Sequence, residues 1–203
     1  MPADVLKVDL HGRVFGDFRL DVDFEVPPGI TVLFGPSGAG KSTTLSAIAG
    51  LLDVEGQVTL GDTVWTTLPV HLRKVAYLFQ SRALFPHLTA LGNVAFGADE
   101  ARARKMLQRM RVEHLAHRKP STYSGGEAQR VALARAFAPA PKLVLLDEPF
   151  TALDRALRDE LYGEVKSLIA DAQVPAIVVT HDPDEARTLG SRFLSMAAGR
   201  LNP

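Results

Sequence analysis

Phe18, Leu20, Val22, Phe24 and Val26 alternate with Arg19, Asp21, Asp23 and Glu25, the period-two pattern of a strand with one buried and one wet face. Pro27-Pro28-Gly29 then turns the chain into Ile30-Thr31-Val32-Leu33-Phe34, a short apolar run rich in strand formers. Leu45, Ile48, Ala49 and Leu52 recur at helical spacing until Gly50 and the Asp53 region end that helix. Gln57 to Leu60 and Thr63 to Trp65 flank Gly61-Asp62 as a hairpin, so the early chain is expected to hold an antiparallel layer. Val75 to Phe79 reads as a strand buried on both faces.

From Leu84 to about Ala138 the period changes to helical. Ala103, Met106, Leu107 and Met110 form an apolar stripe, and Arg102, Arg104, Lys105, Arg109 and Arg111 are expected on a solvated face. Gly92 to Gly97 and Lys119-Pro120-Ser121 read as loops. A further helix carries Val131, Leu133, Ala134 and Phe137, and Pro139 and Pro141 break it ahead of the strand Leu143 to Leu146. Leu157, Leu161, Val165, Leu168 and Ile169 mark an amphipathic helix, Ala176 to Thr180 a strand, and Arg192 to Met196 a last strand. The class is α/β.

The 203 residues predict one domain, and the 46% hydrophobic content is enough for a substantial core. Lys+Arg and Asp+Glu both number 23, which argues against a broad basic surface and hence against a nucleic-acid partner. Zero cysteines exclude disulfides, thiolate metal sites and a cysteine nucleophile. Asp4, Lys7 and Asp9 interrupt Met1 to Leu10, so no secretory signal is expected there, and no apolar run reaches membrane-spanning length. The expectation is a soluble cytoplasmic protein that meets a membrane only through a partner.

Between the strand at Ile30 and the helix at Leu45 lies Gly35-Pro36-Ser37-Gly38-Ala39-Gly40-Lys41-Ser42-Thr43, which fits the P-loop pattern. Glycines let consecutive N–H groups curl around phosphate, and the following helix N-terminus adds unpaired donors. Lys41 is placed for the β- and γ-phosphates, Ser42 for magnesium and Thr43 for the α-phosphate side. Either Phe15 or Phe18 is a candidate to stack on an adenine ring. Other polar groups gather where parallel strands place ligand contacts: Gln80 after Phe79, for a magnesium ion and a γ-phosphate oxygen; Asp147, for magnesium; Glu148, to deprotonate a water; and His181, to donate to the γ-phosphate. Ser124-Gly125-Gly126 opens a helix, with Glu127 at capping-box spacing, and offers a second anion site. Two such sites on one small chain invite a dimer.

Together these motifs, spread over nearly the whole chain, resemble the ATP-binding subunit of ABC transporters: Lys41 and Ser42 in Walker A, Gln80 in the Q-loop, Ser124-Gly125-Gly126 in the signature motif, Asp147-Glu148 in Walker B, Ala152-Leu153-Asp154 in the D-loop, and His181 as the switch histidine. The resemblance implies a RecA-like P-loop NTPase core with an antiparallel β subdomain and an inserted helical subdomain. Residues 1–85 and 139–203 would form the core with its β subdomain, and 86–138 the insertion. It further implies ATP and Mg2+ as ligands, Glu148 as general base, and a head-to-tail homodimer in which Lys41 of one subunit and Ser124 of the other hold one ATP, with Asp154 beside it. Membrane permease subunits, a periplasmic or extracellular solute-binding protein and a place on the cytoplasmic face of the plasma membrane follow from the same resemblance.

Phe79 to Thr89 and Gly29-Ile30 look like the importer branch, most like its molybdate and sulfate-type oxyanion members. Tyr123 stands where leucine is usual and Glu127 where glutamine is usual, and the chain is expected to lack the C-terminal regulatory domain that many such importers carry. An exporter or lipoprotein-release ATPase and a soluble non-transport ABC ATPase are the alternatives. A GTPase is disfavoured because no Asn-Lys-x-Asp sequence occurs.

Overall fold

The computed structural model describes residues 4–151 and 153–202. Strands β1 (Leu6–Phe15), β2 (Phe18–Val26), β4 (Glu55–Leu60) and β5 (Thr63–Val64) pair antiparallel. Strands β3 (Gly29–Phe34), β6 (Val75–Leu78), β7 (Leu143–Asp147), β8 (Pro175–Thr180) and β9 (Arg192–Ala197) run parallel, and β10 (Arg200–Asn202) folds back from β9 to meet β2. All ten join in one sheet of order β5-β4-β1-β2-β10-β9-β3-β8-β7-β6.

The central strands are apolar throughout because both faces are covered. Val32, Val144, Leu146, Ala176 and Val178 point into a core shared with α2 (Ala90–Val94), α3 (Glu100–Arg109), α4 (Gly125–Phe137), α5 (Arg155–Ala172) and α6 (Pro183–Leu189). Leu33, Leu143, Leu145, Ile177 and Val179 point the other way, into a core with α1 (Lys41–Ala49) and the antiparallel strands. Each such valine, leucine or isoleucine stabilises by roughly 1.5–3 kcal/mol. The strands are therefore anchored from both sides, and the polar residues that follow them project from a fixed edge.

Four expectations need correction, and one strand was not foreseen: β1 is a ten-residue strand, and Leu6, Val8 and Leu10 alternate with Lys7, Asp9 and His11 as plainly as β2 does. β6 is the sheet's outer strand and is not buried on both faces: Val75 and Tyr77 are half-buried, and Phe79 stacks on Tyr77 at 4.0 Å instead of entering the core. The Gly92 to Gly97 stretch is helical, because Thr89 caps α2 through Gly92 N–H at 3.1 Å and Asn93 bonds the surrounding backbone. Arg109 and Arg111 are not merely solvated but reach Asp171 and Glu160 on α5, each at 2.6 Å. Arg192 to Met196 is not the last strand, since β10 follows it.

Candidate functional site

The loop between β3 and α1 is shaped by what lies behind it. A Cβ on Gly35 would sit 2.2 Å from the Met196 carbonyl oxygen. Gly40, at φ +105°, leaves room that a Cβ would contest with the Phe18 ring at 2.7 Å. The turn between β9 and β10 braces the loop, with Gly199 N–H donating to the Ala39 carbonyl at 2.8 Å. No periodicity signals that long-range contact.

Lys41 is buried, and its Nζ donates to the carbonyls of Gly35 at 2.8 Å and Pro36 at 2.9 Å. Burial lowers its pKa, while the nearby carboxylates of Glu148 and Asp147 push it back up. Ser42 Oγ donates to Asp147 Oδ1 at 2.9 Å, joining the start of α1 to the end of β7. Burial raises the Asp147 pKa, the Ser42 bond opposes that, and Glu148 and Lys41 add smaller opposite effects.

Glu148 adopts φ +46°, a left-handed turn that ends β7 and swings its carboxylate across the strand edge. Its Oε2 accepts from Gln80 Nε2 at 3.2 Å and Thr151 Oγ1 at 3.4 Å, and its Oε1 faces His181 Nδ1 at 2.9 Å. Residues from the ends of β6, β7 and β8 thus meet at one carboxylate. Thr151 was not singled out from the sequence, where a threonine in a turn has no distinguishing spacing.

A cavity of about 330 Å3 is lined by Ser37, Gly38, Lys41 and Thr43 together with Gln80 and Glu148. Phe15, 62% exposed, and the half-buried Phe18 flank it. The loop's backbone donors and Lys41 suit a polyphosphate. The oxygen donors of Ser42, Asp147 and Gln80 fit magnesium, which takes one or two carboxylates and completes its shell with water and phosphate. No cluster of three or more His, Cys, Asp or Glu suited to a metal occurs among the described residues.

Ser124, Gly125 and Gly126 line a separate pocket of about 420 Å3 with Asp154 and Leu157, sharing no residue with the first. Ser124 and Glu127 form a reciprocal capping box: Glu127 N–H donates to Ser124 Oγ at 3.2 Å, and Ser124 N–H donates to Glu127 Oε2 at 2.7 Å. His114 Nε2 lies 3.1 Å from the other Glu127 oxygen. The Ser124 backbone bond first, then the His114 and Ser124 side chains, hold the Glu127 carboxyl down at about 2. Asp154 caps α5 by accepting from Leu157 N–H at 3.0 Å. Ala152 lies outside the described residues.

The family model described as ABC transporter matches residues 20–151. The chain is 41% identical to the molybdenum import ATP-binding protein ModC of Methylococcus capsulatus over 95% of its own length and 58% of that protein's. It is 47% identical to the spermidine/putrescine import ATP-binding protein PotA of Pseudomonas fluorescens over 83% of its own length and 50% of that protein's. It therefore spans about half the length of the curated relatives it matches. A dimeric post-hydrolysis state of the ATP-binding cassette MJ0796, bound to ADP and Pi, superimposes with a TM-score of 0.85 at 30% identity, over 98% of this chain and 97% of that one.

Proposed function

We propose a function from one premise, that the chain belongs to the ABC transporter family and has the α/β fold of its ATP-binding cassettes. Our reading is that it binds and hydrolyses ATP and couples closure of a homodimer to solute import through a separate membrane permease. The observation that carries it is the convergence of Gln80 and His181 on Glu148, which together with Gln80 lines the same cavity as Lys41.

Lys41, freed from the Gly35 and Pro36 carbonyls, would hold the β- and γ-phosphates, and the loop N–H groups the rest of the chain of phosphates. Phe15 or Phe18 would stack on adenine. Ser42, Asp147 and Gln80 would hold magnesium, which supplies charge neutralisation for the phosphates when bound. Glu148 would orient and deprotonate the attacking water, and His181 would donate to a γ-phosphate oxygen, keeping both reactants in line.

The Ser124 pocket lies away from the Lys41 cavity, so a second copy in head-to-tail contact would bring its Ser124-Gly125-Gly126 onto the same ATP, with Asp154 at the seam. The dimeric state of the similar cassette supports this arrangement. Among the described residues no helix is long and apolar enough to cross a membrane. The reading accordingly assigns transport to separate permease subunits, served by an outer solute-binding protein, with this chain on the cytoplasmic face. For the solute we favour molybdate or a related oxyanion, because the molybdenum-import relative matches along 95% of the chain and the polyamine-import relative along 83%.

A pull-down of tagged Glu148→Gln protein with ATP from detergent-solubilised native membranes tests the reading. Recovery of a multi-span permease supports transport, and an accompanying binding protein that takes molybdate supports the solute. Recovery of the cassette alone overturns the importer assignment, and a permease without any binding-protein partner favours an exporter.

A further inference from the structure

Glu185, on α6, has no part in the chemistry above, yet it is 5% exposed and its Oε1 has no hydrogen-bond partner, a condition found at no other buried side-chain atom among the described residues. A buried carboxylate with one oxygen left without a partner costs more than the same group as a neutral acid. Burial accordingly raises its pKa to about 7. The Thr180 hydroxyl, Arg158 and His181 oppose the rise, and Asp182 adds to it.

These neighbours are the residues that hold His181. Thr180 Oγ1 accepts from Asp182 N–H at 3.0 Å, closing the turn whose middle residue is His181. Asp182 Oδ1 accepts from the N–H groups of Asp184 at 2.8 Å and Glu185 at 3.3 Å, and its Oδ2 is anchored to α5 by Arg158 at 3.2 Å. From α5, Arg158 and Tyr162 also face the cluster. β3, on the other side of α6, brings no titratable side chain. A charge at Glu185 would repel Asp182 and compete with it for Arg158, weakening the bridge that ties the turn to α5. The hydrogen bonds of Lys41 to the loop carbonyls and of Ser42 to Asp147 include no residue of this cluster.

We propose that Glu185 is a positioning residue for His181, its neutral acid holding the Thr180–Asp182 turn so that the imidazole stays against Glu148, and its carboxylate loosening that turn. The consequence for turnover rests on the hydrolytic reading above; the consequence for the imidazole does not.

Two measurements on the full chain separate them. In the first, 15N-labelled histidine reports His181 from pH 5.5 to 8.5 in the wild type and in Glu185→Gln, which fixes the neutral form with the same shape, and 13C-labelled glutamate reports the Glu185 carboxyl in the wild type. The carboxyl should titrate near 7, and the His181 signals of the two proteins should coincide at low pH and diverge above the midpoint. In the second, the ratio of Glu185→Gln to wild-type kcat should rise about threefold between the two ends of that pH range with KM for ATP unchanged, the pattern of lost positioning rather than lost binding. Coincident His181 signals at every pH, or a Glu185 carboxyl titrating in the ordinary glutamate range, overturn the proposal. Divergent His181 signals in a chain that hydrolyses no ATP uphold it while overturning the hydrolytic reading.

Discussion

His181 Nδ1 lies 2.9 Å from Glu148 Oε1, and the acid's other oxygen takes the Gln80 amide at 3.2 Å. Both oxygens are thus engaged before any substrate is considered. Oε1, with His181 alone against it, keeps a lone pair for a water, and His181 has a stronger alternative partner, a γ-phosphate oxygen carrying negative charge.

Replacing Glu148 with glutamine keeps the shape and the Gln80 contact but removes the base. ATP affinity should stay near wild type while turnover falls by about 10²- to 10⁴-fold. Nucleotide binding by calorimetry beside steady-state phosphate release checks both halves. Unchanged release would remove Glu148 from the chemistry.

Lys41 makes a different kind of contribution, since its ammonium is satisfied by two carbonyls without ligand. Lys41→Ala leaves both carbonyls without their donor and should therefore unfold somewhat below the wild-type temperature when no nucleotide is added. The wild type should gain about 2.7 kcal/mol at an ATP concentration a hundredfold above Kd, and the variant should gain almost nothing at that same concentration. Thermal melts with and without ATP and magnesium measure the difference, and equal ATP-induced shifts in both proteins would contradict the assignment of Lys41 to the phosphates.

Strands that carry the site are legible from sequence because burial on both faces leaves continuous apolar runs, such as Leu143 to Leu146 and Ala176 to Val179, that end abruptly in polar residues. That is why Asp147, Glu148 and His181 could be singled out by position. The outer strand β6 has the same composition without the same burial, since strand order is a property of the whole sheet and Val75 to Leu78 does not encode which neighbour is missing. Short helices such as α2 and α6 offer too few turns for periodicity to emerge. The brace from Gly199 to Ala39 joins residues 160 positions apart, and nothing local foretells it. Glu185 was equally hidden: one glutamate two residues from Pro183 looks like a favourable first-turn acid until its burial is known.

Two glycines of the phosphate loop should respond differently to alanine. At Gly35 the new Cβ would meet the Met196 backbone carbonyl at 2.2 Å, and neither strand can yield without shifting the sheet. A loss of about 3 kcal/mol with abolished nucleotide binding is expected. At Gly38 no atom lies within 4 Å, and only the left-handed φ of +78° resists, so about 1 kcal/mol is expected. Urea unfolding of the two variants ranks them, and Gly35→Ala proving the milder would refute the packing of β9 against the loop.

Glu127 links pH to the stability of the helix that Ser124 opens. Its carboxyl is held at about 2 in the folded chain, against an ordinary 4.5. Above that ordinary value the carboxyl is ionised in both folded and unfolded chains, and the cap's stabilisation is complete. As the pH falls below it, the unfolded chain takes up the proton first, and the stabilisation drains away until the folded carboxyl protonates as well. Glu127→Gln removes this dependence while keeping an acceptor at the third helical position. The wild type should exceed the variant by about 1 kcal/mol at neutral pH, the size of an exposed cap rather than of the whole shift, since solvent screens the group. The margin should shrink steadily in acid and vanish near the folded value. Urea unfolding of both proteins across that range measures it, and a margin independent of pH would mean that the amide caps Ser124 as well as the carboxylate does.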